Sequence, residues 1–347
     1  MARTEQRGAE VRSAVQNGLS EFTFDQIIGG NRELLAQIAL AKKFAGEQAP
    51  IGLYGETGTG KDLVARAIHA HSERRGSPLV AVNCSNLPLG ICENEIFGHD
   101  AGAFTGAQRP HQGLAEQADN GILFLDEVDS LPFEVQSKLL RLLEQGETRR
   151  LGGGAVRYIN VRIICATNKD LLTLVREKRF RSDLYYRLNV LSLRLPPLRE
   201  RRDDIPLLAE HYLNRRISEK CDLSNGNGAR PWTSLASDVL QKLCGYHWPG
   251  NVRQLKNVID RAFVTCTAGR IAVEDLELDS DVDLPPLCRD YKAAKEQFER
   301  DYFGNLLAQF GHDTSLALRA SGLSRSVFYA KLRKLASMPE NLTRGKS

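Results

Sequence analysis

Short apolar runs alternate with helix-period stretches up to Leu195, at residues 51–54, 79–83, 122–125, 161–166 and 190–195. The run Ile122-Leu123-Phe124-Leu125 has no polar alternation, as expected of a strand covered on both faces. Five such strands with helices between them predict an α/β fold, a doubly wound parallel sheet. Ahead of the first strand, a helix over 32–44 is expected to start at Asn31, whose side chain suits an N-cap. Ligands of such sheets bind beyond the carboxyl ends of the strands, and Asn83, Asp126, Thr167 and Asn168 all fall there.

The pattern changes after Leu195. Pro196-Pro197 is followed by helical periodicity over 205–217 and 235–244, a small helical subdomain. Trp248-Pro249-Gly250-Asn251 reads as a turn in which Asn251 caps a helix over 252–265 and sets Arg253 in its first turn, facing either a phosphate or solvent. Residues 274–287 carry six acidic side chains and Pro285-Pro286 without helical period, which reads as a linker. Helical stretches follow over 292–310, 313–320 and 324–335, the last two separated by Ser321-Gly322-Leu323, a helix-turn-helix arrangement. The expected organisation is a short polar segment (1–21), an α/β subdomain (22–195), a helical subdomain (196–273), a linker (274–290) and an all-α helix-turn-helix domain (291–347).

The chemistry concentrates between the first strand and the next helix, in Gly55-Glu56-Thr57-Gly58-Thr59-Gly60-Lys61-Asp62. Three glycines let successive N–H groups curl around phosphate oxygens at the positive end of a helix, and Lys61 is spaced to reach the β- and γ-phosphates. A lone glycine-rich match is a weak signal. The stronger one is that the third strand ends abruptly in Asp126-Glu127, where Asp126 suits Mg2+ and Glu127 suits a base that orients water. Ile27-Ile28, in an apolar turn upstream, is equally suited to pack on a base or to a core. Residues 97–107, Phe-Gly-His-Asp-Ala-Gly-Ala-Phe-Thr-Gly-Ala, place one aromatic among small residues. Residue chemistry leaves open whether Phe104 tips a mobile loop or fills a core.

Composition narrows the class. With 347 residues, 42% hydrophobic and 26% charged, the chain is an ordinary globular one of two or three domains. No run approaches the ~18 apolar residues of a membrane span, and the N-terminus has no signal-peptide core, so a cytoplasmic protein without membrane contact is expected. Seven scattered cysteines without C-x-x-C spacing read as free thiols, and His69-x-His71 lacks partners for zinc, so no structural metal is expected. The net charge is only +4, yet from Tyr291 onward ten basic residues face five acidic ones. That end expects an anionic partner. Arg325, Ser326, Tyr329, Lys331, Arg333 and Lys334, on the last helix, are candidates to touch the bases and phosphates of double-stranded DNA, against the plainer reading of a basic solvated helix.

In this order and spacing, GETGTGK, ILFLDE, GAFTGA, FRSDLYYRLNV and WPGN resemble the bacterial enhancer-binding activators of sigma-54 RNA polymerase, AAA+ ATPases with a Fis-type DNA-binding domain. The resemblance runs from Phe22 nearly to the end. It implies an ATP-hydrolysing transcriptional activator that binds an upstream enhancer site and remodels the sigma-54 closed complex, with ATP and Mg2+ as cofactors. It makes Gly102, Ala103, Phe104, Thr105, Gly106 and Ala107 the loop that touches sigma-54, which favours the exposed reading of Phe104. It further implies that Asn83 is a switch residue holding the catalytic Glu127, Thr167 and Asn168 are sensor I, and Arg253 is sensor II. Arg181 and Arg187 become arginine fingers acting on a neighbour's ATP, hence a homo-oligomeric ring, usually a hexamer. Two positions depart from the pattern: Asp62 stands where this family commonly has Glu, and Gln254 where Glu is common beside sensor II. Many relatives carry a receiver or ligand-sensing domain in front; here control is expected from expression level or from a regulator acting in trans. The alternative is a DNA-binding regulator in which ATP only gates assembly, without sigma-54 remodelling.

Overall fold

The computed structural model describes residues 22–105, 107–223, 235–266, 270–278, 303, 306, 310, 314–323 and 325–336. Its centre is a five-stranded sheet of β1 (Ile51–Tyr54), β2 (Leu79–Asn83), β3 (Ile122–Asp126), β4 (Arg162–Thr167) and β5 (Leu191–Arg194), in spatial order β2-β3-β4-β1-β5. All four pairings are parallel. The strands match the apolar runs to within a residue or so at each end. β3 continues into Asp126, because that residue still pairs with Asn83 of β2. On the other side Tyr54 of β1 pairs with Thr167 of β4, so the polar strand ends lie level at one edge.

Side chains of β3 and β4 alternate between two cores. Leu123, Leu125, Ile163 and Cys165 pack with α3 (Leu89–Phe97), α4 (Phe133–Gln145), α5 (Leu171–Arg176) and α6 (Ser182–Leu188) through residues such as Ile96, Leu139, Leu171 and Leu184. Ile122, Phe124, Ile164 and Ala166 pack on the other face with Leu34 and Ile38 of α1 (Arg32–Ala45) and Val64 and Ile68 of α2 (Lys61–His71). Asn31 caps α1 as expected, accepting from the N–H groups of Glu33 and Leu34. Arg162, 3% exposed, opens β4 and closes the far end of α1 by donating to the carbonyls of Phe44, Ala45 and Ala49 at 2.7–3.1 Å.

The helical subdomain contains α7 (Asp204–Leu223), α8 (Ser237–Gly245) and α9 (Asn251–Thr265), packed around Leu208, Leu243, Trp248 and Ile259. The acidic stretch is not all linker. Val273–Asp275 forms a helical turn and Leu276, 4% exposed, sits in this subdomain's core, an apolar contact hidden among carboxylates in the sequence. Residues 279–290 of the expected linker, and 1–21, lie outside the described residues.

The chain divides into two compact units after Leu278. In the second, α10 (Thr314–Ser321) and α11 (Arg325–Ala336) are joined through Gly322 at φ +65°. Phe328 is fully buried against Phe303, Leu306 and Ala317. Of the helix expected over 292–310, only residues 303, 306 and 310 are described, the first two of them helical and buried. Among the described residues no helix is long and apolar enough to cross a membrane.

Candidate nucleotide-binding site

The site begins where β1 runs out. Gly55, Gly58 and Gly60 have φ of +157°, +81° and +99°, and Gly58 and Gly60 hold the left-handed region that other residues enter at a cost. A side chain at Gly58 would also collide with the Gly250 carbonyl of the helical subdomain. The chain then enters α2 at Lys61. Among the described residues, no protein acceptor takes the N–H groups of Gly58, Gly60 and Lys61, which form the open positive end of that helix.

A cavity of about 170 Å³ lies in front of this loop. It is lined by Thr57, Gly58, Gly60, Lys61 and Asp62 from the loop, Asn83 from β2, Asp126 at the end of β3 and Glu127 just after it, Asn168 after β4, and Arg253 on α9. A larger groove of about 690 Å³ follows the edge strand β5 and α1 behind Gly55 and Glu56. We assign the chemistry to the smaller cavity, because it gathers the lysine, the two carboxylates at the end of β3 and Arg253.

Lys61 Nζ donates to the carbonyls of Gly55 and Glu56 at 2.8 and 3.0 Å. Burial pulls its pKa down, and Asp126, Asp62 and Glu127 pull it back up. Burial raises the Asp126 carboxyl above the usual carboxylate range, against the pull of the Glu127 N–H and of Lys61. A half-buried acid of that kind beside a phosphate-sized cradle suits Mg2+. Glu127 stands at φ +52°, ψ +47°, a left-handed geometry that is uncommon for a glutamate.

Asn83 departs from expectation. Its Nδ2 donates to Asp126 Oδ2 at 3.4 Å and its Oδ1 accepts from the Ser85 N–H and hydroxyl, so in this structure it holds the aspartate and its own turn rather than Glu127. Thr167 donates to Asp129 Oδ1 at 2.6 Å, and Lys169 pairs with Asp129 Oδ2 at 2.8 Å. Asp129, its side chain 2% exposed, thus ties the end of β4 to the turn after β3; the sequence reading missed it. Asn168 Nδ2 reaches Thr57 Oγ1 at 3.0 Å, joining the same strand end to the loop.

Asn251 does not cap its own helix. At φ +52° its side chain turns back, Oδ1 accepting from the Leu198 N–H at 2.7 Å and Nδ2 donating to Thr57 O at 3.0 Å and Glu56 Oε2 at 3.2 Å. Gln254 serves the α9 terminus instead, accepting from the Gly250 N–H at 3.0 Å. Glu56 also receives both terminal nitrogens of Arg199 at 2.6 and 2.7 Å, which hold its carboxyl below the usual range. Ile27 and Ile28 pack against the α/β core and the helical core respectively, so in this structure the apolar turn bridges two cores.

The fingers suggested by resemblance do not line this chain's own cavity. Arg181 forks onto Asp183, donates to Ser137 Oγ at 2.9 Å and lies 5.5 Å over the exposed Phe133 ring. Arg187 meets Glu144 at 3.1 Å on the same outer face. Away from the cavity, Gly98–His99 and His111–Gln112 pair as a ribbon carrying the small-residue loop. Gly102 and Thr105 are exposed and Phe104 is 46% exposed, its ring meeting His99 edge-on. Ala103 is half-buried, Gly106 lies outside the described residues, and Ala107, 7% exposed, belongs to the loop's buried base rather than its tip. The Asp100 N–H bonds Leu151 O and the Leu151 N–H bonds Gly98 O, seating the ribbon against the neighbouring loop. On α11, Arg325 and Ser326 are exposed, whereas Tyr329 and Lys331 are half-buried, Tyr329 because it packs edge-on against Phe328. The side chains of Arg333 and Lys334 lie outside the described residues.

A glycine loop at the head of a parallel sheet, paired strand-end carboxylates and a helical lid that reaches the loop define the AAA+ class of P-loop proteins. Residues 27–194 match the Sigma-54 interaction domain family, and residues 199–283 match the AAA+ ATPase lid domain. The chain is 38% identical over 337 residues to the transcriptional regulatory protein ZraR of Salmonella typhimurium, covering 96% of this chain and 73% of that one. It is 43% identical over 304 residues to the response regulator protein PilR of Pseudomonas aeruginosa, covering 84% and 66% of the two, and 48% identical over 230 residues to the transcriptional activator HyfR of Escherichia coli. It spans only 33% of HyfR's length. Crystal structures of NtrX from Brucella abortus with ADP and with ATP superpose with TM-scores of 0.65 and 0.64 at 30% and 29% identity, each covering 96% of this chain and 73% and 74% of NtrX. The chain therefore belongs to the sigma-54-dependent transcriptional activators of the AAA+ family.

Proposed function

We propose that this protein binds and hydrolyses Mg2+-ATP and uses the cycle to act on sigma-54 RNA polymerase at a promoter, from an upstream DNA site. The carrying observation is the convergence of Lys61, Asp126, Glu127, Asn168 and Arg253 on one small cavity at the glycine loop. The N–H groups of the loop and Lys61 hold the phosphates, and Asp126 holds the cation. Bound Mg2+ supplies charge neutralisation on the β- and γ-phosphates. Glu127 orients the attacking water, while Asn168 and Arg253 stand where the terminal phosphate is sensed. That NtrX was crystallised with ATP and ADP supports the nucleotide.

Arg181 and Arg187 are assigned to a neighbouring subunit's nucleotide, in a homo-oligomeric ring of the hexameric kind. The support is their position on an outer face apart from the chain's own cavity. The exposed Phe104 and Thr105 are the sigma-54 contact, and Arg325 and Ser326 lead the DNA-facing surface of α11.

A steady-state ATPase assay, with and without sigma-54 holoenzyme, tests the reading together with two variants. Lys61→Ala loses nucleotide binding, whereas Glu127→Gln keeps ATP bound and stops hydrolysis, because one residue holds charge and the other positions water. Equal loss of ATP affinity in both would reject these roles.

A further inference from the structure

The helical subdomain grips the glycine loop through the loop's carbonyls, one at a time. Thr57 O accepts from Asn251 Nδ2 at 3.0 Å, Gly58 O from the Val252 N–H at 3.0 Å, and Thr59 O from Arg201 Nη2 at 3.1 Å. These donors come from two separate segments, and neither side chain is at the surface: Arg201 is 3% exposed and Asn251 fully buried. Arg201 sits beside Asp204, whose Oδ1 accepts from the N–H groups of Gly30 and Asn31. The segment entering α1 is thereby drawn into the same anchorage.

The consequence lies in the peptide planes. Each peptide unit is rigid, so the carbonyl of Thr57 and the N–H of Gly58 turn together, as do the carbonyl of Thr59 and the N–H of Gly60. A donor fixed on the oxygen fixes the direction of the hydrogen on the far side. It also polarises the unit, strengthening the N–H as a donor to an anion.

We propose that Arg201 and Asn251 are positioning residues for phosphate binding. From the lid, through the carbonyls of Thr57 and Thr59, they aim the N–H groups of Gly58 and Gly60, so that phosphate occupancy and lid attachment form one coupled equilibrium. This rests on the nucleotide reading above and adds a route distinct from Arg253, which enters the cavity from the phosphate side. Coupling of this kind is reciprocal: whatever aims the loop for phosphate is itself stabilised by phosphate.

The test uses the full chain and ADP. Asn251→Asp keeps the oxygen that accepts from the Leu198 N–H and tolerates the left-handed backbone, but it removes the donor to Thr57 O and sets a carboxylate beside Glu56. ADP affinity is expected to fall about tenfold or more, equivalent to one lost buried hydrogen bond plus repulsion. KM for ATP should rise by a similar factor, with kcat at saturation changing much less. Adding Glu56→Gln to Asn251→Asp relieves the repulsion and should recover part of the affinity. In the unsubstituted protein, ADP should slow hydrogen exchange at the Val252 amide, and this slowing should vanish in Lys61→Ala. ADP affinity of Asn251→Asp within about twofold of the original, or Val252 exchange indifferent to bound ADP, overturns the proposal even if the variant folds poorly, since the exchange measurement needs no substitution in the lid. Failure of the unsubstituted protein to bind ADP at all overturns the nucleotide reading and this inference together.

Discussion

The carboxyl of Asp126 is held above the ordinary carboxylate range by burial, and that sets a pH dependence. A carboxyl whose folded pKa is raised costs stability while ionised and regains it as the pH falls and the proton returns. A divalent cation competes with that proton. Magnesium-dependent ATP binding should therefore weaken on the acid side at a pH above that expected of an ordinary carboxylate, around 4. Titrating magnesium at several pH values, with Asp126→Asn as the control for protonation of the nucleotide, isolates the effect. An acid limb of the same size in Asp126→Asn would assign the titration elsewhere. At this scale the contiguous motifs were legible, because Gly55 to Asp62 and Asp126-Glu127 carry their chemistry in adjacent residues. Asn251 was not. An asparagine ahead of a helix is read as its cap, and nothing local shows that this side chain reaches Thr57. Asp129 escaped for a similar reason, its partners Thr167 and Lys169 being supplied by the end of β4 and the turn after it.

Among elements, β4 does two jobs at its two ends. At one, buried Thr167 bonds Asp129 and leads into Asn168, which lines the nucleotide cavity, while at the other Arg162 closes the C-terminal end of α1 through three carbonyls. Burial pushes the Arg162 guanidinium down to about 10, still charged at neutral pH, so it supplies a cation at the negative end of the α1 dipole. Arg162→Met removes the guanidinium donors from the carbonyls of Ala45 and Ala49, while Phe44 O keeps the Glu47 N–H, and should lower unfolding free energy by about 3 kcal/mol. Denaturant unfolding measures this, and ATP turnover per folded molecule should be retained, because the change lies at the opposite end of the sheet from the cavity. Loss of turnover at unchanged stability would contradict that separation. The strands themselves were readable from uninterrupted apolar runs. The helical turn at Val273–Asp275 was not, since its core contacts, Val273 with Leu276 and Leu278 just after it, are set among acids that look like a solvated linker.

For the whole molecule, the nucleotide cavity and the exposed loop around Phe104 occupy different parts of the α/β subdomain, and coupling between them requires contacts that differ between nucleotide states. Phe104→Ala should leave basal ATP hydrolysis and DNA binding in place and remove capture of sigma-54 in the presence of a transition-state analogue such as ADP–aluminium fluoride. The exposed ring offers an apolar anchor whose truncation removes the centre of a contact. Open-complex formation measured on the same preparations decides the matter: normal promoter opening by Phe104→Ala would make the aromatic dispensable. Sequence chemistry alone left this loop undecided, because a phenylalanine among glycines and alanines fits a tip or a core equally well. Its solvent exposure is a property of the ribbon that carries it.

The left-handed backbone at Glu127 bears on how such a protein responds to selection. Asparagine occupies that conformation more readily than glutamate, by about 1 kcal/mol. A directed-evolution screen that rewarded only heat resistance would thus be drawn to replace the residue assigned to water activation, enriching thermostable but catalytically silent descendants. Retention of glutamate at this position is then a signature of selection for turnover, working against the preference of the fold.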